Sequence, residues 1–414
     1  MSKSRTVCAS VLLALVALSG ASVAGDGNAR RPASISVDSG GRFAYVANLK
    51  SNDISAYRID PASGALRPVA GSPFAAGTQP VAIAVDSRAR FVYVPNQLSG
   101  TLSAYRMDGA SGALTPVAGS PFRTGTRPVS VTLDAEDKHL YVANQGSNSV
   151  SAYAIDAGTG ALSPVAGSPF RSGANPRLVT IHPSQKFAYV ASNADDGIWG
   201  YRIDPASGAL APLARSPFPA GRGAGSVTLD PAGRFAYVSN QFGDSVSAYR
   251  VDAASGALAA VAGSPFPAGR FPSAVSVDPA GRFAYVANFF SHTVSAFRID
   301  PRSGALAAVA GSPFPARSAP VSLLIDAAGK FAYVPNRSSN DVSAFRIDAA
   351  SGALEAVSGS PFPAGREPSA GALDPSGRFV FVANLSSDDV SSFGVDQQTG
   401  ALIGTTASLR AANH

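Results

Sequence analysis

The chain has 414 residues, 45% hydrophobic and 14% charged, with 41 Gly and 31 Pro in a regular pattern; this is enough apolar material for a large buried core and excludes a disordered chain. The net charge of +6 and pI near 9.5 would suit a polyanionic partner. However, Arg58, Arg106, Arg202, Arg250, Arg298 and Arg346 recur at one fixed place per repeat, so the charge is spread around the molecule and excludes a nucleic-acid patch.

In chain order, the first element is a leader. Lys3 and Arg5 precede a short apolar run at residues 7–18, and Ser22, Val23 and Ala24 put small residues at a cleavage position. The pattern predicts a signal peptide over residues 1–24, cut after Ala24, which makes the protein periplasmic or secreted. The run is shorter than the ~20 residues a membrane span needs, so no span remains after cleavage. Cys8 is the only cysteine and leaves with the leader, so no disulfide is available to the mature chain. Residues 25–32 read as a linker.

From residue 33 to residue 409 the sequence repeats itself. The motif "YVAN" and its variants close at Asn48, Asn96, Asn144, Ser192, Asn240, Asn288, Asn336 and Asn384, one every 48 residues, eight times. A period of this size marks a repeat architecture rather than separate domains. In the sixth unit, "SAVSVD" (273–278) alternates small and β-branched residues, "DPAGR" makes a turn, and "RFAYVAN" (282–288) is a second strand. "TVSAFRID" (293–300) is a third strand, "DPRSGAL" another turn, and "ALAAVAGSP" (305–313) a fourth strand. Four short antiparallel strands per unit, apolar on both faces, predict an all-β β-propeller of eight four-stranded blades, with a seven-bladed closure as the alternative. The first unit starts with its own inner strand and the eighth supplies its own outer one, so the ring is expected to close by packing between blades. Residues 410–414 form a tail.

Asp60, Asp108, Asp156, Asp204, Asp252, Asp300, Asp348 and Asp396 sit in near-identical turns on one face and read as turn caps. Variation is concentrated in the loops of the opposite face, where binding residues tend to sit. Arg127, Arg222, Arg270 and Arg337 stand there, with Phe242, Phe271, Phe289, Phe290 and His292 around the fifth to seventh units. Rings beside guanidinium groups suit an anionic sugar or a partner protein. The four histidines have no metal-ligand spacing, so neither a metal nor a cofactor is expected. The acidic pairs Asp195-Asp196 and Asp388-Asp389 read as solvated loop residues rather than a calcium site.

The fourth unit departs from the pattern. It carries Pro176-Arg177-Leu178, then His182-Pro183 where the other units have Asp, then Ser192-Asn193, with Trp199 replacing a Ser and Arg215 a Gly. The recurrent "GRFAYVAN…VSAYRID…SGAL…GSPF" resembles the β-propeller lactonases, the 6-phosphogluconolactonase-like and YVTN-repeat proteins, over nearly the whole mature chain. In the enzymes of that family one blade carries "PRH…HP…YxxNE", whose first His, Arg and Glu are associated with the active site. Arg177 and His182 match that motif. Leu178 replaces the His and Asn193 the Glu, and neither can exchange a proton. What the resemblance implies here is therefore a non-catalytic binding or scaffold propeller, a monomer, with Arg177 as the surviving ligand residue. Its expected partner is a sugar acid, a lactone, a glycan or an envelope protein, with no nucleic acid. The alternative is a lactone hydrolase whose base is Asp195, Asp196 or Glu367. A quinone-dependent dehydrogenase resembles the chain poorly, and His182 reads as structural.

Overall fold

The structure is a computed structural model that describes residues 30–405. The expected leader 1–24 with Cys8, and the tail 410–414, lie outside the described residues. Eight antiparallel sheets follow one another along the chain, each built from consecutive strands, so the seven-bladed alternative is set aside. In the first blade the strands are Pro32–Val37, Phe43–Asn48, Asp53–Ile59 and Leu66–Pro68, in that spatial order. The second strands are buried along their whole length in every blade, as expected when both sheet faces pack on neighbours.

The fourth strand is not the continuous segment the sequence suggests. It pairs at Leu66–Pro68, leaves the ladder, and returns at Phe74–Ala75 to pair with the start of the third strand. Between the two pieces Gly71 takes a positive φ of 80°, and the Ser72 hydroxyl accepts the Ala56 N–H at 2.9 Å, replacing a missing backbone carbonyl. The Ser72–Pro73 peptide is cis, as are its six counterparts. In blades two and seven the inner strand is also cut short, to Ala84–Val85 and Leu324–Ile325. Those are the two blades whose second strand contains a proline, Pro95 and Pro335, with no N–H to offer the inner strand.

Neighbouring blades are joined by one recurring set of contacts. The Tyr45 hydroxyl donates to the Gly112 carbonyl of the next blade at 2.9 Å, and the Phe43 ring fills the space a side chain at Gly112 would need. Arg58 lies over that ring, 5.0 Å from its centroid, and donates to Ala110 O, also in the next blade. The repeated arginines are thus pinned to neighbouring turns.

At the seam between blades eight and one, Ile35, Val46 and Tyr57 pack with Phe379, Phe381 and Val390 in one cluster. Hydrogen bonds join the packing there: Ser369 Oγ donates to Pro32 O at 2.9 Å, Ser392 Oγ to Gly64 O at 2.6 Å, and Arg31 N to Asp388 Oδ1 at 2.8 Å. Among the described residues no strand crosses the seam.

Candidate functional site

The loop-bearing face is organised by its backbone. The residue just before each inner strand is left-handed, for example Gln79 at φ 57°, Phe271 at 54° and Glu367 at 54°. In most blades its N–H is received by a side chain of the preceding blade: Gln79 by Asn52, Asn175 by Asn148, Gly223 by Asp196, Phe271 by Asp244 and Glu367 by Asn340. His292 has this task as well. Its Nδ1 accepts the Ala319 N–H at 3.0 Å, which fixes the tautomer with the proton on Nε2. The sequence placed His292 among the ligand residues, and in the structure its inner nitrogen is spent on a backbone cap.

Asp195 and Asp196 are committed in the same way. Asp195 Oδ2 accepts Ala174 N at 2.9 Å and Asp196 Oδ1 accepts Gly223 N at 2.6 Å. Glu367 belongs to the eighth blade, where it accepts Ser386 Oγ at 2.6 Å and lies 3.8 Å from Arg337. His182 is buried at the opposite, turn-bearing end. Its Nδ1 accepts Ser184 N, and its Nε2 donates to Gly233 O of the fifth blade at 2.7 Å. It ties two blades together instead of receiving the Phe187 N–H as an Asp would.

Arg177 stands on the inner strand Pro176–Ile181, inside a register shift between Pro176 and Val179. It occupies the position from which Ser273 and Ser369 reach the inner strand of the next blade. Burial lowers its pKa below the usual arginine value. Across the seam, the equivalent position in blade five is Gly225. A Cβ at Gly225 would sit 2.8 Å from Ser239 Oγ and 3.1 Å from Gln241 Nε2, so the glycine lets both polar groups close in on the backbone and line a buried polar recess with no room for a side chain there. Asn193 Nδ2 donates to Gln241 Oε1 at 3.1 Å, which turns the Gln241 amino group away from it. Gln241 is 1% exposed and Ser239 0%, yet neither Gln241 Nε2 nor Ser239 Oγ has a hydrogen-bond partner. Buried donors left in this state cost about 1–3 kcal/mol each, and a ligand acceptor would recover that.

Gly225, Ser239 and Gln241 were not singled out as ligand residues from the sequence. A signal existed: Ser239 is the one hydroxyl in a column otherwise filled by Ala or Pro, and it lies in the blade beside the anomalous one. In the fourth blade itself, Ser192 replaces the Asn that elsewhere donates to the third strand, as Asn144 does to Ser151 at 2.9 Å. Ser192 Oγ and Trp199 Nε1 are left buried without partners around Gly173.

The aromatic residues do come together. Phe271 meets Phe242, Phe289 and Phe290 edge-to-face with centroids 5.8, 6.0 and 5.1 Å away. Arg222 and Arg270 flank them, their carbonyls accepting Phe242 N and Phe290 N at 3.1 and 3.2 Å. Arg127 is exposed in a loop of the third blade, and Arg337 is drawn toward Glu367, so neither joins this group. Among the described residues no group of three or more His, Cys, Asp or Glu is placed to hold a metal ion.

The chain matches the family described as lactonase, 7-bladed β-propeller, over residues 14–132, 123–321 and 308–413. None of the curated proteins matches it. Among solved structures, the periplasmic gluconolactonase of Pseudomonas aeruginosa is 25% identical and superposes with a TM-score of 0.55, over 85% of this chain and 91% of that one. A Bacteroides uniformis protein assigned provisionally as a 6-phosphogluconolactonase is 22% identical, with a TM-score of 0.62 over 76% and 93%. Sqt1 from Chaetomium thermophilum, solved bound to the N-terminus of ribosomal protein L10, shares the fold at 13% identity, with a TM-score of 0.67 over 87% and 96%.

Proposed function

The chain belongs to the lactonase family of β-propellers, with eight blades where the family description has seven, and from that footing we propose that it is a binding member of the family without hydrolytic activity. The observation that carries this reading is the chemistry of the recess between blades four and five: it offers donors and lacks a base. Gln241 Nε2 and Ser239 Oγ await acceptors, and the Arg177 guanidinium adds a charge held out of water. Asn193 stands where the resemblance places a glutamate, and Asp195 and Asp196 are already acceptors for backbone N–H groups. A donor-rich, base-poor recess suits the carboxylate or ring carbonyl of a sugar acid, which it would hold without activating water. The gluconolactonase of P. aeruginosa supports this class of ligand by likeness. The reading includes export, with residues 1–24 removed as a signal peptide, and action outside the cytoplasm as a monomer; N-terminal sequencing of the exported protein would then begin at Gly25.

The test pairs binding with turnover on the mature protein. Aldonic and uronic acids are expected to raise its Tm, and the rise is expected to vanish in Arg177→Ala and Gln241→Leu. A panel of sugar and aliphatic lactones is expected to hydrolyse at the background rate. Lactone turnover that falls in Arg177→Ala would overturn the proposal in favour of a hydrolase.

A further inference from the structure

Few large apolar side chains reach solvent among the described residues, and two of them, Phe242 at 57% exposure and Phe290 at 43%, share one spot. They rest against Phe271 between them, and Phe271 and Phe289, each 8% exposed, form a floor with Ala319 and Val321. This small cluster lies on the loop face, separate from the cores that hold the blades together. The support beneath it is rigid. Phe271 keeps a left-handed backbone, φ 54°, costly for a bulky residue, because Asp244 receives its N–H. An aromatic surface of this kind, ordered before any ligand arrives, has the character of an interaction site.

Its surroundings say what it would take. Blades five and six repeat one arrangement, an exposed arginine beside an exposed ring: Arg222 with Phe242, and Arg270 with Phe290. Arg317 and Arg337 farther round face Asp341 and Glu367, whereas Arg222 and Arg270 make no ion pair among the described residues. The loop carboxylate of Asp244 accepts Phe271 N through Oδ1. A glycan fits this surface poorly. Sugar hydroxyls need acceptors around the ring they stack on, and here the His292 Nδ1 and one of the two Asp244 oxygens are already taken by backbone N–H groups. An apolar or aromatic side chain needs no acceptor, and carboxylates beside it would meet both guanidinium groups.

We propose that the Phe242–Phe271–Phe290 surface, with Arg222 and Arg270, docks an extended acidic segment of another protein that carries an apolar or aromatic anchor. The site is distinct from the Gln241 recess, and Phe242→Ser with Phe290→Ser leaves that recess untouched. The test uses four fluorescent probes on the mature protein, read by anisotropy: an acidic decapeptide with a central Trp, the same peptide with Ser for Trp, a lysine-rich counterpart with the Trp, and a polyuronate oligosaccharide. The acidic Trp peptide is expected to bind, to weaken with salt, and to lose at least about tenfold in affinity in the Phe242→Ser/Phe290→Ser variant. The charge reversal Arg222→Glu/Arg270→Glu, which leaves the aromatic floor intact, is expected to shift preference toward the lysine-rich peptide. Unchanged Tm values in both variants exclude unfolding as the cause. Failure of the acidic Trp peptide to bind, binding indifferent to both variants, or binding by the polyuronate alone would each overturn the proposal. Because these variants spare Gln241, sugar-acid stabilisation of the variant proteins separates failure here from failure of the recess.

Discussion

At the scale of single residues, the closing seam relocates one hydroxyl. In blades one to seven a tyrosine on the second strand donates to a glycine carbonyl of the following blade, as Tyr285 does to Gly352 at 3.0 Å. Blade eight has Phe381 at that position, and the residue paired with it across the ladder is Ser392, where the other blades have Ala or Gly. Ser392 Oγ reaches Gly64 O at 2.6 Å, so the carbonyl is satisfied from the neighbouring strand. Ser392→Ala should therefore cost about 1–2 kcal/mol by leaving a buried carbonyl unpaired. Adding Phe381→Tyr should restore most of the loss, and denaturant titration of the two variants against the parent reads both effects. A second residue-scale test compares two glycines of one turn. Gly112 has φ 81° and abuts the Phe43 ring, while Gly109 has open space around the place a Cβ would take. Gly112→Ala is expected to destabilise by several kcal/mol through overpacking and backbone strain, and Gly109→Ala to change stability by under about 0.5 kcal/mol.

At the scale of elements, the turn-face carboxylates act as one repeated device. Asp60 accepts Ala62 N, Ser63 N and Ser63 Oγ, and the same pattern holds Asp108, Asp156, Asp204, Asp252, Asp300 and Asp348. These hydrogen bonds lower each pKa, Asp396 included, below the ordinary 3.8. A carboxylate with a depressed folded-state pKa gives stability that is present above its unfolded pKa and lost as pH falls through the folded value. Asp86 works in the opposite sense, because burial raises its pKa. With eight groups of one sign against it, the Tm should fall steadily below about pH 4 and stay flat from there to neutrality, which a melting series in acetate and formate buffers would read.

The turns were legible in the sequence because the same residues recur where a carboxylate meets two successive N–H groups. The fourth strand was not, because the break depends on a serine hydroxyl entering the ladder, as Ser72 does for Ala56 N, and the alternation of side chains does not reveal that. The backbone of the loop face was not legible for a related reason. Positions such as Arg31, Gln79, Arg127 and Phe271 differ in side chain but share a left-handed backbone, which their residue types do not announce. The partner column Asn52, Asn148, Asp196, Asp244, His292, Asn340 and Asp388 is rich in Asn and Asp, which tolerate that conformation, and read as a column it already implies that His292 caps.

At the scale of the whole molecule, the 48-residue spacing carried the number of blades, since each unit can bury its faces only against neighbours. The recess beside Arg177 was less legible, because it arises between two units, from a missing side chain at Gly225 and an extra hydroxyl at Ser239, and neither stands out in its own repeat. The same modularity has a consequence for closure. Among the described residues no strand crosses from the last blade to the first, and the two blades meet through one interface of the ordinary kind, the cluster around Ile35, Tyr57, Phe379 and Phe381. An interface interchangeable with the other seven should allow the opening in the chain to be moved. A circular permutant opened between blades four and five, with blades eight and one joined by a copy of residues 357–367, the segment that joins blades seven and eight, should fold to the same ring. It should keep the sugar-acid response of the parent if the new termini leave the Gln241 recess intact. Removing residues 364–409 should fail, because it uncovers the flanks of both blades one and seven, Ile35 and Tyr57 on one side and Tyr333 and Val342 on the other. The deletion is expected to aggregate or to bind a hydrophobic dye, and the permutant to melt cooperatively near the parent Tm. If the permutant also fails to fold, the seam between blades eight and one is not equivalent to the others, and closure depends on something that the repeat does not encode.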